Sequence, residues 1–276
     1  MSITRTTDTD DDGSGTTGTI RTNAWLQAIY DTLDGRWSRA TITSTGSQNN
    51  LSISEADLVI FNNASDLTIT GIVAPASPAK PGKPMRFVST GAGHVFLAHQ
   101  NASSTAANRI ICPVTSANLP FAAGAGGGML VYDDANSRWR VLLHEQGAPI
   151  TPTFADSHYT GAGVDGDWAL ASGDRTTQEY YLIGKRLFVS WYLVTTSVSN
   201  TPASLRITNG AWGGFTVTKT KLRTCIFDDN AGGNTVGYAQ VSAGGTEISI
   251  FKLAGGTFAT ATNTTAAYGD LDFEVT

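Results

Sequence analysis

Charged residues are scarce in this sequence, at 15% of its 276 residues, and the formal net charge is −5 at pH 7. The chain therefore has no excess of lysine and arginine with which to neutralise phosphates, so nucleic acid is not an expected partner. No apolar run approaches the ~18 residues that cross a bilayer, and the first residues lack the apolar core of a signal peptide. We expect no membrane insertion and synthesis in the cytoplasm.

Cysteine is equally rare. Cys112 and Cys225 fall in separate predicted domains and allow one intrachain pairing, so no disulfide framework is indicated. We expect both thiols to be reduced and buried. Residues 13–18 match a dinucleotide-binding pattern, but no strand precedes them and neighbouring aspartates would repel a pyrophosphate. No cofactor is expected.

Strong helix signals are few, and the abundant glycine and threonine favour short strands joined by turns. One helix is predicted over residues 23–34, between Asn23 as N-cap and Gly35. An acidic, glycine-rich arm precedes it, and its alternating aspartates resemble the start of a calcium loop that lacks the closing glutamate. A solvated arm is favoured over a metal site there. The helix face consists of Trp25, Leu26, Ile29, Tyr30 and Leu33, and the weak metal candidates are Asp8, Asp10 and Asp12.

The middle region reads as a compact β domain over residues 40–147. Short apolar runs near residues 51–53, 59–61, 67–69 and 87–99 are separated by Asn, Gly and Pro clusters. The proline-rich residues 74–84 predict a surface loop. Residues 129–132 and 138–143 flank an Asx-rich turn and predict a hairpin. His94 and His99 are predicted to face opposite sides of one strand. Structural histidines are favoured over a metal site that uses one histidine from each chain on a three-fold axis.

A linker with Gly147, Pro149 and Pro152 precedes a second series of strands, residues 151–276. The run 186–194 is apolar on both faces, which is expected when one face meets a second sheet and the other a neighbouring subunit. In the last strand, apolar and acidic residues alternate over 270–275, so one face should pack in the core and the other should face solvent. The spacing predicts an all-β protein that ends in a β-sandwich.

Several motifs in order resemble a β module of tail-fibre-like and other structural proteins of tailed phages. They are GKPMRFV (82–88), GAGHVFLAH (91–99), SS (103–104), ANR (107–109), VYD (131–133) and SRW (137–139). The resemblance covers residues 51–143. The opening DDGSGTTGT (11–19) and the helix after it also look like a virion-attachment arm, residues 1–39. The resemblance implies partners among other virion proteins, of the tail or the capsid.

The C-terminal portion resembles the jelly-roll knobs of phage fibres, which are similar in architecture to C1q and tumour-necrosis-factor trimers. EYYLIGKRL (179–187) and YGDLDFEV (268–275) carry the resemblance. It implies a homotrimer whose aromatic strands pack around a three-fold axis. The candidates for that interface are Tyr180, Tyr181, Phe188, Trp191 and Tyr192.

Receptor contact is expected from loops of the knob, because loops present side chains that do not pack in a core. Trp212 lies between glycines, and a second polar loop follows near residue 228. The candidates are Asn209, Trp212, Asp228, Asp229, Asn230 and Asn234. A glycan-cleaving tailspike would need paired carboxylates and a long solenoid, and the sequence shows no solenoid repeat. We expect no enzymatic activity.

Together these features predict a virion protein, made in the bacterial cytoplasm, which attaches by its arm and displays a trimeric knob for host-surface binding. A host glycan or protein is the expected receptor. The alternative is a capsid decoration or head-fibre protein that stabilises the shell, and the third possibility is a polysaccharide-degrading tailspike.

Overall fold

The computed structural model describes residues 38–53, 56–75, 84–162, 164–165 and 167–276. The predicted arm and helix, with Trp25, Leu26, Ile29, Tyr30, Leu33 and the aspartates Asp8, Asp10 and Asp12, lie outside the described residues, as does most of the proline-rich loop. The expectation of an all-β protein is confirmed. Helical structure in the described part is limited to 3-10 turns at Ala106–Asn108, Asp156–His158, Ser172–Asp174 and Asn209–Trp212.

Twenty strands are described. The first ten are β1 (Arg39–Ile42), β2 (Gly46–Gln48), β3 (Leu58–Phe61), β4 (Leu67–Ile69), β5 (Pro84–Ser89), β6 (Val95–Leu97), β7 (Ile110–Ile111), β8 (Leu119–Phe121), β9 (Gly127–Asp133) and β10 (Arg138–Glu145). The other ten are β11 (Tyr159–Gly161), β12 (Val164–Asp165), β13 (Trp168–Ala169), β14 (Arg175–Ile183), β15 (Arg186–Val198), β16 (Leu205–Thr208), β17 (Lys221–Asp228), β18 (Asn234–Val241), β19 (Glu247–Lys252) and β20 (Ala261–Glu274).

The first ten strands form two facing sheets, and up to β6 the chain alternates between them. Strands β1, β3 and β5 pair in parallel in one sheet, and β2, β4 and β6 pair in parallel in the other. The chain therefore makes three stacked coils before antiparallel strands close the unit. Alternate residues such as Phe61, Phe87 and Leu97 point between the sheets and are buried.

No solenoid repeat is visible in the sequence, yet these residues form three stacked coils. Residue 39 lies opposite residue 58, and residue 58 lies opposite residue 86, so successive coils differ in length. A coil of variable length leaves no fixed period in the sequence. The predicted hairpin of β9 and β10 is confirmed, whereas Leu51 makes only an isolated bridge, to Ile72.

The last ten strands form one sheet in the order β12-β11-β16-β19-β18-β17-β20-β15-β13, and β14 also pairs with β15, along residues 186–193. Its two ends approach each other, because β11 also contacts β13. Inward residues fill the enclosed core, and the predicted alternation of the last strand is confirmed by buried Leu271, Phe273 and Val275 beside exposed Asp270 and Glu274.

The segment between the two sheet systems is firmly held. Gln146 is fully buried; its Nε2 donates to the carbonyl oxygens of Ala148 (2.9 Å) and Tyr180 (3.1 Å), and its Oε1 accepts from Leu182 N (2.8 Å). Ile150 pairs with Tyr180 through two backbone hydrogen bonds. At a second point, Ser116 Oγ donates to Thr276 O and accepts from Thr216 N. The predicted linker is therefore part of a packed interface.

Candidate functional site

An apolar stripe crosses the outer face of the C-terminal sheet. We use this name for Tyr192 on β15, Tyr268 on β20, Ile226 on β17 and Val236 on β18, which lie opposite one another in register. The rings of Tyr192 and Tyr268 are 4.8 Å apart. Tyr192 is 43% exposed, Ile226 45% and Val236 50%. Four apolar side chains on four adjacent strands thus face solvent together.

The stripe exists because β15 and β17 are apolar on both faces. In β17, Cys225 and Phe227 point into the core, whereas Leu222 and Ile226 point outward and are exposed. In β15, Leu187, Val189, Trp191 and Leu193 are buried, and the residues between them face outward. The run 222–227 carried the same two-faced pattern as run 186–194, and that signal could have identified Ile226 from sequence.

Charged residues of both signs lie beside the stripe. Arg186 pairs with Asp272, and Arg223 pairs with Asp270 at 2.5 Å and more distantly with Asp272. The hydrogen bond from Arg186 lowers the pKa of the Asp272 carboxyl, despite an opposing effect of desolvation. The guanidinium of Arg186 also lies 5.7 Å from the centre of the Phe188 ring. The face is therefore apolar in the middle and mixed in charge at its border.

The predicted interface residues divide between the two faces of the sheet. Phe188 and Tyr192 point outward and are exposed, and Tyr181 is half-buried beside Phe188. For Trp191 and Tyr180 the prediction is wrong, since both are buried within one copy. Alternation along each strand turns them inward. Trp191 packs over Gly269, where a Cβ would lie 2.5 Å from the indole ring.

The prediction of Trp212 as a receptor contact is also wrong. Its side chain is fully buried, packs edge-on against Phe273 with the rings 5.3 Å apart, and donates from Nε1 to Ile207 O. The flanking glycines let the chain turn so that the ring enters the core. Asn209 is likewise engaged, because its Nδ2 donates to Phe215 O.

The second predicted contact loop, residues 228–234, lies at the surface and is ordered by its own side chains. Asp228 Oδ1 accepts from Gly233 N at 3.1 Å, and Asp229 pairs with Lys252 and accepts from Ala259 N. Thr264 donates to Asn230, while Asn230 and Asn234 remain exposed. The contact of this loop with a receptor stays a prediction.

The two cysteines are buried, and His94 and His99 each accept a hydrogen bond from a backbone N–H. Cys112 and Cys225 are free and buried, as expected, and burial raises the pKa of each thiol to about 12. His94 Nδ1 accepts from Ala123 N, and His99 Nδ1 accepts from Cys112 N. Within the described ranges, no group of three His, Cys, Asp or Glu side chains could hold a metal ion. No helix of that part is long and apolar enough to cross a membrane.

Comparison with known proteins gives similarity to solved structures alone. No family model and no curated protein matches the sequence. One similar solved structure is the head domain of phage bIL170, described in connection with the receptor-binding domains of lactococcal phages. The identity is 11%, the alignment covers 43% of this chain and 97% of that chain, and the TM-score is 0.27. A similarity of this size does not assign the chain to a family.

Proposed function

We propose that this chain is a structural protein of a tailed-phage virion. It attaches through residues 1–39, assembles as a homotrimer, and displays residues 151–276 as a jelly-roll knob that binds the host surface. The observation that carries the proposal is the apolar stripe. Subunits of a trimeric knob bury apolar surface against one another, and the stripe is an exposed apolar surface of this kind.

The stripe calls for a partner because of its extent. Strands in a sheet are spaced by about 4.8 Å, so four neighbouring strands span roughly 15 Å before Phe188 and Leu222 extend the surface. Soluble monomers rarely expose contiguous apolar patches larger than a few hundred Å². Aromatic and aliphatic side chains of this kind are typical of the buried centre of an interface.

Further copies of the same chain fit the stripe best. Its border holds Arg186 and Arg223 together with Asp270 and Asp272, so both signs of charge are available on one surface. In a ring of identical subunits, one part of each subunit meets a different part of its neighbour. Basic residues on the border of one copy can then pair with acidic residues on the border of the next copy. A strongly acidic or basic partner would leave half of these charges opposed.

In this proposal the protein acts by binding alone, without a catalytic step. Three identical sites on one knob raise the avidity for a surface that displays many receptors, even when each contact is weak. Whether the knob is carried by the tail or by the capsid is decided by labelling the protein on intact virions. Label at the tail tip supports host binding, and label over the capsid supports the decoration protein instead.

The trimer is tested by replacing Ile226 with Glu and measuring the molar mass in solution by sedimentation equilibrium. Three buried charges at a closed interface are costly, so we expect wild type to be a trimer and Ile226→Glu a monomer. The matched control is Leu253→Glu, because Leu253 is 66% exposed and lies outside the stripe. A concentration of ~10 μM is well above the dissociation constant of a stable assembly. A wild-type protein that is monomeric at this concentration contradicts the proposal.

A further inference from the structure

A cleft of about 770 Å³ lies between the coiled sheets and the C-terminal sheet. Its size is in the range of small-molecule sites, which often occur between domains. The coiled side contributes Asp66, His94 and Phe96, and the C-terminal side contributes His158 and Tyr180. The cleft could not be predicted from the sequence, because these residues lie far apart along the chain.

Glycines form one wall of the cleft and are required there. A Cβ at position 210 would lie 2.4 Å from His158 Nε2, and one at position 213 would lie 2.9 Å from the Tyr180 ring. Gly213 also has φ +85°, which favours glycine. The same residues that send Trp212 into the core thus leave room for two ring side chains at the cleft.

The Tyr180 hydroxyl is the first of several polar groups that the cleft can offer to a ligand. The side chain is only 4% exposed, and its hydroxyl makes no hydrogen bond within the described part of the chain. Burial, and to a lesser extent the Asp66 carboxylate, raise the pKa of Tyr180, so the phenol stays protonated. A buried hydroxyl of this kind can both donate and accept.

Three further side chains that line the cleft can hydrogen-bond to a ligand. Asp66 accepts from His94 N through Oδ1, which leaves Oδ2 as an acceptor. His94 Nδ1 accepts a hydrogen bond from Ala123 N, so the ring proton lies on Nε2, which is a donor. Burial and the nearby charge of Arg175 lower the pKa of His158, so its ring is neutral at pH 7 and offers one donor and one acceptor.

The charge and the hydrogen-bonding groups of the side chains that line the cleft indicate which class of ligand it can bind. No lysine or arginine lines the described cleft, and Asp66 adds a negative charge, so an anion such as phosphate is disfavoured. Mixed donors and acceptors beside the aromatic face of Phe96 suit a ring that carries several hydroxyls. We propose that the cleft binds a neutral saccharide unit through Asp66, His94, His158 and Tyr180, with Phe96 as the apolar contact.

This inference rests on the proposed function and places its receptor contact in the cleft, and not on the Trp212 side chain or the loop near residue 230. It is tested with the full chain by titration calorimetry against glucose, galactose, rhamnose and N-acetylglucosamine, with inorganic phosphate as the counter-probe. We expect at least one of these sugars to bind and phosphate not to bind. Tyr180→Phe should weaken the sugar by about fivefold, the usual effect of one neutral hydrogen bond.

Tyr180→Phe removes a hydroxyl that has no hydrogen-bond partner among the described residues, so the melting temperature of the variant should not fall. The matched control is Tyr238→Phe, since Tyr238 stacks on Phe251 on another part of the sheet. Absence of binding by all four sugars, or equal affinity of Tyr180→Phe and wild type, overturns the inference. If wild type then still adsorbs to host cells, the proposed function stands without this cleft; if it does not adsorb, both fail.

Discussion

At the scale of the residue, His144 shows how burial fixes a protonation state. Its Nε2 lies 2.7 Å from Pro120 O and donates to it in the neutral ring, while Nδ1 is buried without a hydrogen-bond partner. The ring also packs edge-on against Phe121 at 4.8 Å. Burial outweighs the hydrogen bond to Pro120 and lowers the pKa of His144. A proton on Nδ1 would have no acceptor in the described structure.

We therefore expect stability to fall as the pH drops below about 6.5, the pKa of histidine in an unfolded chain. Below that pH the unfolded chain takes up a proton that the folded ring resists, so the free energy of unfolding decreases until the folded pKa is reached. Urea unfolding at pH 7.5 and 5.5 measures the loss. His144→Gln should show a smaller loss than wild type, and an identical loss in both contradicts this account.

At the scale of the element, the coils depend on one buried amide. Asn63 is fully buried, and its Nδ2 donates to Ser65 O (2.8 Å) and His94 O (3.2 Å). Gly91 passes so close that a Cβ there would lie 2.3 Å from Asn63 O. The side chain thus ties one coil to the next at the turn between the two sheets.

Asn63→Ala should lower the free energy of unfolding by about 2 kcal/mol, because two backbone carbonyls lose their donor. The change is measured by urea denaturation. Asn62→Ala is the control, since Asn62 is exposed and its side chain makes no hydrogen bond to the residues that the structure describes. Equal loss in the two variants would show that the amide does not hold the coils together.

The elements also show what the sequence could predict. In the C-terminal half, β15 begins with the predicted run 186–194, and β20 includes nearly all of the predicted alternation over 270–275, because alternation along a strand is a local property. The parallel pairing of β1, β3 and β5 was missed, since direction and partner depend on distant contacts. Trp212 was misplaced for the same reason: its flanking glycines were visible, but its ring packs against Phe273, which lies near the other end of the C-terminal half.

At the scale of the whole molecule, Gln146 couples the two sheet systems. Its buried amide bonds to Tyr180 and Leu182 on β14. Gln146→Ala should lower the free energy of unfolding by about 3 kcal/mol, because buried backbone groups lose their partners. In calorimetry, we expect one unfolding transition for the wild type and two separate transitions for Gln146→Ala. Gln240→Ala, on the outer face of β18, should do neither; a single unshifted transition for Gln146→Ala contradicts the coupling.

The two points of attachment between the sheet systems have a mechanical consequence. One runs through Gln146 and Ile150 to β14, and the other runs through Ser116 to Thr216 and Thr276. Two bodies joined at one point can swivel, whereas two bodies joined at two separate points resist torque. A pull on the C-terminal sheet is therefore transmitted as a tilt of the whole described unit, which behaves as a lever without an internal pivot.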